Sequence, residues 1–361
     1  MNRRRELAAL LLTAGLMAGC PSRPEPQLLR DVSFSRLEQP LGSPATVSDL
    51  VSHAGRLYGV ANRQPLAGER ALLFSTGDGL QFERLISEDA SEGLLRIRPI
   101  ADRLWIPDGD PAGRSSGRVF ELSEDGTLRE ERLQAALHTY DVVQHAGDLL
   151  ASNGMRGGHG ALLKRDATKG WSEVATSPSR RLKWLVSHRG VLFASKRPHG
   201  SDADYVRWRG SRARGAGEPV DAVPGEAVTF RWHVSQRGRL FWSLLSRAGF
   251  EVRVRDDGEH WEEVPELGGL FVSAFAELDG ALYALTDAGL YGSLDHERFE
   301  PVAAAPGPAT FGPVRISATQ ANSDATASMT AHAGSLWCGS STDGHLYRVT
   351  PNSGSASPPP H

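Results

Sequence analysis

Cysteine is almost absent from this chain, with only Cys20 and Cys338 among 361 residues. So few thiols exclude the framework of several disulfides on which many small secreted domains depend. Basic charge is almost all arginine, and a formal net charge of −3 gives no general attraction to nucleic acid. After the amino-terminal segment, no apolar run is long enough to cross a membrane. The hydrophobic content of 40% is sufficient to bury a large core without covalent cross-links.

The first twenty residues have the composition of a targeting segment. Three arginines at 3–5 precede an apolar stretch at 7–17, which is too short to span a bilayer as a helix. The next residues, LMAGC at 16–20, resemble the bacterial lipoprotein signal. This resemblance implies cleavage after residue 19 and anchoring through acyl chains, such as palmitate, on Cys20, so that Cys338 has no disulfide partner. Pro21 and Ser22 follow in place of Asp, which by the same resemblance favours the outer membrane; an ordinary secretory signal is the alternative.

One eight-residue motif occurs four times, as HAGRLYGV from His53, HAGDLLAS from His145, HRGVLFAS from His188 and HAGSLWCG from His332. Aligned on the motif glycine, the chain divides into seven units at intervals of 42 to 54 residues, centred on Gly55, Asp102, Gly147, Gly190, Gly238, Gly280 and Gly334. Leucine stands two positions after every centre, and the next residue is aromatic in six of the seven units. A period in the forties with strand-like alternation is typical of a β-propeller.

The repeat therefore predicts an all-β, seven-bladed β-propeller with four-stranded blades. The motif would be the hairpin between the inner two strands of a blade, with the leucine and the aromatic residue packing against the two neighbouring blades. Blade seven lacks an outer strand, and the alternating segment at 31–37 is predicted to supply it and close the ring. The predicted plan is a signal peptide at 1–19, a lipidated tether at 20–27, the propeller at 28–350 and a disordered tail at 351–361.

Four histidines begin the repeated motif, which raises the question of a metal site. A propeller spreads equivalent positions around a ring, so these side chains cannot converge on one ion. We predict a structural role for them, with hydrogen bonds to the hairpin backbone, and neither a metal nor another cofactor.

A second repeated element lies where the third strand of a blade turns into the outer strand: STGDGLQF from Ser75, RDATKGW from Arg165, VRDDGEHW from Val254 and GSLDHERF from Gly292. These segments resemble degenerate Asp-boxes, or BNR repeats, the Ser-x-Asp-x-Gly-x-x-Trp turns of sialidase-like propellers. In such turns the Asp caps backbone amides, and the aromatic residue fills the space between blade edges. The match is incomplete, since Asp78 and Asp295 fall one position late. The resemblance implies a fold and says little about activity.

The connections between the second and third strands are long in blades one to four and short in blades five and six. Loops on a rigid scaffold often carry function, so the sequence predicts a ligand groove over blades one to four. Its polar residues, suited to an anionic glycan or a phosphate, are Arg63, Asp108, Asp110, Arg114, Arg156, His159, Lys196, Arg197 and Asp204. The alternative is that these loops vary in length without function and that each charge is only solvated.

Together these features predict a lipid-anchored, monomeric propeller of the cell envelope that binds a glycan or an envelope protein without catalysis. The alternative is a glycan-active hydrolase or lyase of the sialidase type, which would need three convergent arginines, a Tyr nucleophile with a Glu partner and an Asp acid. The stretch LRIRPI at 95–100 only partly matches the Arg-Ile-Pro motif of that family, because Arg98 separates Ile97 from Pro99. Tyr140 and Tyr205 lie near the predicted groove, and neither has an evident Glu partner.

Overall fold

The computed structural model describes residues 25–37, 45–63, 71–79, 81–86, 91–111, 117–133, 136–155, 159–177, 181–196, 205–209, 218–219, 228–256, 260–317, 320–321 and 326–352. Seven antiparallel four-stranded blades follow one another along the chain, and the inner strand of blade seven contacts that of blade one. The predicted all-β, seven-bladed propeller is confirmed.

In blades one to six the strands follow one another along the chain from the central channel outward. Blade one consists of Ala45–His53, Arg56–Arg63, Ala71–Thr76 and Glu83–Ile86. Blade two has an inner strand in two pieces, followed by three strands: Ser91–Leu94 with Arg98–Ile100, Arg103–Pro111, Arg118–Ser123 and Leu128–Arg132. Blade three consists of His138–His145, Asp148–Gly154, Gly160–Asp166 and Gly170–Ser177. Blade four consists of Leu182–His188, Val191–Lys196, Tyr205–Arg209 and Glu218–Pro219.

The last three blades complete the ring. Blade five consists of Val228–Val234, Leu240–Ser246, Gly249–Arg255 and Glu262–Glu263. Blade six consists of Val272–Leu278, Ala281–Thr286, Gly289–Ser293 and Glu300–Ala304. Blade seven consists of Ser328–His332, Ser335–Gly339, Leu346–Pro351 and the amino-terminal Val32–Arg36. Outside the blades lie a 3-10 turn and a short ribbon, Pro265–Leu267 and Arg315–Ser317 paired with Gln320–Ala321.

The repeated motif is the inner hairpin, as predicted. Ala54 and Gly55 have φ of +47° and +75°, the pair of positive values that a two-residue type I′ turn requires. Blade five differs, because the Gly238 amide donates to the Ser235 carbonyl and the Ser235 amide donates to the Arg239 carbonyl. Its hairpin is therefore longer, with glycine at the residue of positive φ.

The leucine and the aromatic residue of the motif face opposite sides of the blade. Leu57 packs with Trp337 of blade seven, whereas Tyr58 packs with Leu104 of blade two. The same alternation recurs around the ring in Leu104 and Trp105, Leu192 and Phe193, Leu240 and Phe241, Leu282 and Tyr283, and Leu336 and Trp337. Each such side chain contributes about 1.5–3 kcal/mol when fully buried. Leu149 of blade three is only partly buried.

The amino-terminal strand closes the ring. Val32–Arg36 pairs antiparallel with Leu346–Pro351, and Phe34 packs 4.9 Å from Phe311 between ring centroids. The Asn352 amide donates to the Asp31 carbonyl at 2.6 Å, next to the pairing of Val32 with Pro351.

The chain reaches this strand from the side of the ring where the inner hairpins lie, which we call the hairpin face. Pro26 covers Gly280 in the hairpin of blade six, and the Leu29 amide donates to the Tyr283 hydroxyl at 3.0 Å. The opposite side, where second strands connect to third strands, is called the loop face.

An aspartate caps three of the turns between third and outer strands. Asp78, Asp166 and Asp295 each accept backbone amide hydrogen bonds through Oδ1. The aromatic residues that follow pack on the preceding blade, as Trp171 does on Trp105 with centroids 6.5 Å apart. In the fourth turn, Asp256 instead pairs with Arg239 at 2.6 Å, and residues 257–259 lie outside the described ranges.

Three of the four motif histidines join neighbouring blades. His332 and His145 are each hydrogen-bonded through Nδ1 to a serine of the next blade, Ser52 and Ser187, both at 2.9 Å. His188 Nε2 lies 3.0 Å from the Asp256 carbonyl of blade five. The role is structural, but the partners belong to the next blade rather than to the same hairpin.

Candidate functional site in the central channel

Inner strands of the propeller share an irregularity that turns polar groups toward the central channel. The ladders shift register between Val47 and Asp49, between Thr139 and Asp141, and between Thr229 and Arg231, which leaves one residue unpaired in each case. A bulge of this kind bends the strand and redirects the side chain that follows. In blade two the strand is broken outright at residues 95–97.

These irregularities bring five charged side chains together, which we call the channel cluster: Asp49, Arg96, Arg98, Asp141 and Arg231. The two aspartates also connect blades. Asp49 Oδ2 accepts the Ile97 amide of blade two at 2.9 Å, and Asp141 Oδ2 accepts the Leu185 amide of blade four at 2.8 Å. The aspartates therefore have a structural task as well as a charge.

Arg96 reaches across the channel. Only 1% of the residue is exposed, its Nη2 donates to the Phe230 carbonyl of blade five at 3.2 Å, and its guanidinium lies 4.1 Å from the Trp184 ring of blade four. Burial, and then the nearby charge of Arg231, lower the pKa of Arg96 to about 9. Because burial disfavours the charged form of this guanidinium, a negative charge placed nearby would stabilise it.

Arg98 pairs with Asp141 in a two-pronged ion pair. Its Nε and Nη2 donate to the two carboxylate oxygens at 2.6 and 2.7 Å, which leaves Nη1 without a hydrogen bond in the part of the chain that the structure describes. Burial alone would lower the pKa of Arg98, but the Asp141 carboxylate raises it above its ordinary value. Asp141 is fully buried, whereas 31% of the Arg98 side chain is exposed.

Arg231 lies opposite, on blade five. Its Nε donates to the Ser273 carbonyl at 3.0 Å, and its Nη1 lies 3.3 Å from Asp49 Oδ1. Its Nη2 makes longer contacts of 3.3–3.4 Å with Ser48, Thr326 and Ala327. Burial lowers the pKa of Arg231, and the Asp49 carboxylate partly offsets that effect.

A cavity of about 430 Å³ lies between the inner strands, extends to the hairpins and is lined by Arg98 and Arg231. We call it the channel pocket. Pro99, Trp232 and Phe275 contribute apolar groups to its lining, and Asp49, Arg98, Arg231 and Glu277 contribute charged ones.

The outer end of the channel pocket carries Glu277. The Gln236 amide donates to its Oε1 at 2.7 Å, and His233 Nε2 lies 3.6 Å from the same oxygen. Burial would raise the pKa of Glu277, but His233 and the Gln236 amide lower it overall. The lining thus carries Arg98, Arg231 and the Asp49 carboxylate at its inner end, and the Glu277 carboxylate at its mouth.

The structure tests the predicted groove residues only in part. Arg114, Arg156, Arg197 and Asp204 lie outside the described residues, as do the side chains of Arg63, Asp110 and Lys196, which fall within strands. His159 is exposed, and its carbonyl accepts the Met155 amide at 2.9 Å. None of the channel cluster's arginines was among the predicted site residues.

The placement of Asp108 in a loop of the rim is wrong. The strand Arg103–Pro111 includes Asp108, which was predicted from the sequence to lie in the connection between the second and third strands. Asp108 is therefore fully buried in blade two, and its carboxylate accepts from Ser91 Oγ and Arg118 Nε, both at 2.6 Å.

Comparisons with known proteins bear on the fold. No protein-family model matches the chain, and no curated protein matches its sequence. The extracellular domain of a putative hybrid two-component system from B. thetaiotaomicron is similar, with 11% identity and a TM-score of 0.58, over 90% of this chain and 40% of that one. This chain therefore spans less than half the length of that structure.

Two smaller structures match along most of their length. The β-propeller domain of the Trilobed protease from Pyrococcus furiosus, which has an open velcro topology, is 12% identical with a TM-score of 0.53, over 84% of this chain and 95% of that one. The Swd1 β-propeller domain from Myceliophteria thermophila is 12% identical with a TM-score of 0.55, over 88% and 99%. At such identities the likeness shows the β-propeller fold alone.

Proposed function

We propose that this chain is a lipid-anchored binding propeller of the cell envelope whose ligand occupies the channel pocket. The observation that carries the proposal is the pocket itself, about 430 Å³ in volume and lined by the partly exposed side chain of Arg98. Its size falls within the range of roughly 300–1,000 Å³ typical of small-molecule sites. Its lining combines aromatic side chains with fixed polar groups that can orient a ligand. Glycan fragments and segments of envelope proteins are the candidate ligand sources.

The envelope location rests on the sequence around Cys20. Within the described ranges, no helix has the length and hydropathy of a membrane span. Pro26 lies on the hairpin face, against Gly280, and is six residues from Cys20. Six extended residues reach about 20 Å at most, so acyl chains on Cys20 would hold the hairpin face toward the membrane.

Binding accounts for the observed environment of Tyr140 better than sialidase-type catalysis does. Tyr140 is 4% exposed, and its hydroxyl accepts from Arg181 Nη1 at 3.0 Å. Its ring is stacked on His138, with centroids 5.8 Å apart. A nucleophile must reach the reacting carbon of the substrate, and this side chain is instead packed between blades.

A thermal-shift panel on the detergent-extracted protein tests the proposal. The panel holds neutral sugars, quaternary ammonium compounds, carboxylates and phosphates, and the variant Thr330→Trp fills the channel pocket from blade seven. We expect at least one class to raise the melting temperature of the wild type and not that of the folded variant. A panel without any shift, or shifts that persist in Thr330→Trp, would contradict binding in this pocket.

A further inference from the structure

We infer that the channel pocket recognises a ligand with a single oxyanion, a carboxylate or a phosphate, attached to an apolar body. The inference rests on the proposed function, because it assigns a chemical class to the ligand of that pocket. It is carried by the charges of the channel cluster, by the geometry of Arg98 and by the distribution of polar groups along the pocket.

The channel cluster has an excess of positive charge. Its members act on one another electrostatically, and three guanidinium groups face two carboxylates, which leaves 3 − 2 = +1. The charge of Arg231 opposes the charged form of Arg96, which is 1% exposed, and the Arg231 side chain is 11% exposed. An unbalanced charge in such surroundings is unfavourable, and an anion at the inner end of the pocket would offset it.

Arg98 supplies the donor for such an anion. Because Asp141 occupies Nε and Nη2, the guanidinium is held in one orientation, and Nη1 retains its two N–H groups. Arg98 lines the pocket, and nearly a third of its side chain is exposed there. A guanidinium nitrogen fixed in this way loses little conformational entropy when it binds an oxyanion.

The remaining lining limits what else the ligand can carry. Trp232, Phe275 and Met329 contribute apolar groups to the lining that an apolar part of the ligand can contact. Glu277 at the mouth has a lowered pKa and is charged at neutral pH, so it would repel a second anionic group at the far end of the ligand. The pocket therefore favours a monoanion over a dianion of similar length.

Titration calorimetry with four probes separates these features. Hexanoate and phenyl phosphate carry one oxyanion on an apolar body, methyl hexanoate removes the charge, and adipate adds a second carboxylate. We expect the two monoanions to bind the detergent-extracted protein, the ester to bind at least about tenfold more weakly, and adipate to bind more weakly than hexanoate. Glu277→Gln should reduce the difference between adipate and hexanoate.

Three variants assign the contact to Arg98. Arg98→Gln with Asp141→Asn keeps the cluster's net charge and replaces the ion pair by two amides, so loss of about tenfold in hexanoate affinity would report the Nη1 contact. Asp49→Asn raises the net charge of the cluster and should strengthen hexanoate binding. If Asp49 had only a structural role, its replacement would not strengthen binding. Arg189→Gln, which removes an exposed arginine from a hairpin of the same face, is the matched control and should change nothing.

The outcomes distinguish the inference from the proposed function. Equal binding of hexanoate and its ester, or an unchanged affinity in the folded Arg98→Gln/Asp141→Asn protein, would overturn the oxyanion site. If neutral panel compounds then bind and Thr330→Trp excludes them, the channel pocket still stands as a binding site. If no panel compound binds, both the inference and the proposed function fall.

Discussion

At the scale of single residues, four of the five members of the channel cluster occupy one repeated position, and Arg98 is the exception. Asp49, Arg96 and Asp141 each stand six residues before their motif centre, and Arg231 stands seven before Gly238, where the hairpin is longer. The same position is Trp184, Ala274 and Ser328 in the other blades. A propeller directs equivalent positions toward one axis, so charge at this place in four blades becomes a cluster in the channel.

The ion pair of Arg98 and Asp141 gives a stability prediction. Arg98→Gln leaves a fully buried carboxylate without its partner, which should cost about 3–5 kcal/mol in the free energy of unfolding. Arg98→Gln with Asp141→Asn removes both charges and should cost clearly less than the single change. Urea denaturation of the three proteins measures this, and a double variant less stable than Arg98→Gln would contradict the pairing.

Asp166 gives a prediction for acid pH. The Thr168 hydroxyl and the Thr168 and Lys169 amides donate to its Oδ1, which lowers the pKa of Asp166 from about 3.8 to about 2. Because the pKa is lowered in the folded state, the stabilisation is complete above about pH 4, declines as pH falls and is lost below about pH 2. Asp166→Asn should therefore lose less stability than the wild type between pH 4 and pH 2 in urea titrations. Parallel pH profiles would show that the turn does not depend on the carboxylate.

At the scale of elements, the inner hairpin joins each blade to both of its neighbours. Its leucine faces the preceding blade and its aromatic residue faces the following blade, so one short motif contributes to two interfaces. The histidine before the turn adds a hydrogen bond to the next blade in three cases. This explains why the sequence repeats the motif so closely while the loops differ.

Leu149 and Leu192 offer a matched pair within this motif. Leu192 is fully buried between blades three and four, whereas Leu149 is only partly buried. Leu192→Ala should cost about 2–5 kcal/mol, and Leu149→Ala should cost less than about 2 kcal/mol. Chemical denaturation compares the two, and equal losses would contradict the difference in packing.

The sequence was informative about the elements and much less so about the site. Glycine at positive φ and the alternation of leucine with an aromatic residue recur in the chain, so the blades and the closing strand were predictable. Asp108 was misplaced because glycine and proline around it suggested a loop, although strand pairing continues through them. The channel cluster was not predicted, because the charged residues within the apolar inner strands were not compared between repeats. The bulge that turns it inward also has no sequence pattern of its own.

At the scale of the whole molecule, the ring has two unlike faces. The chain reaches the fold on the hairpin face, and the channel pocket extends to the same face. Lipidation of Cys20, as proposed, would therefore make the mouth of the pocket face the membrane surface. Acyl chains alone would hold it there, since each buried methylene contributes about 0.8 kcal/mol.

Cysteine labelling tests that orientation. Arg189→Cys places a thiol in a hairpin, and Ala248→Cys places one in an exposed turn on the loop face. Cys338 should not react, because it is fully buried and burial raises its pKa. In intact membranes a bulky maleimide should modify Ala248→Cys faster than Arg189→Cys, and detergent should remove the difference. Equal rates in membranes would argue against the proposed orientation.

The most direct test of the account is a crystal structure of the protein with the tightest-binding compound of the panel. We predict that the compound lies in the channel pocket with an oxygen about 2.7–3.1 Å from Arg98 Nη1 and its apolar part against Trp232 and Phe275. A compound bound instead on the loop face, over the second-to-third strand connections of blades one to four, would contradict the assignment of the channel pocket as the functional site.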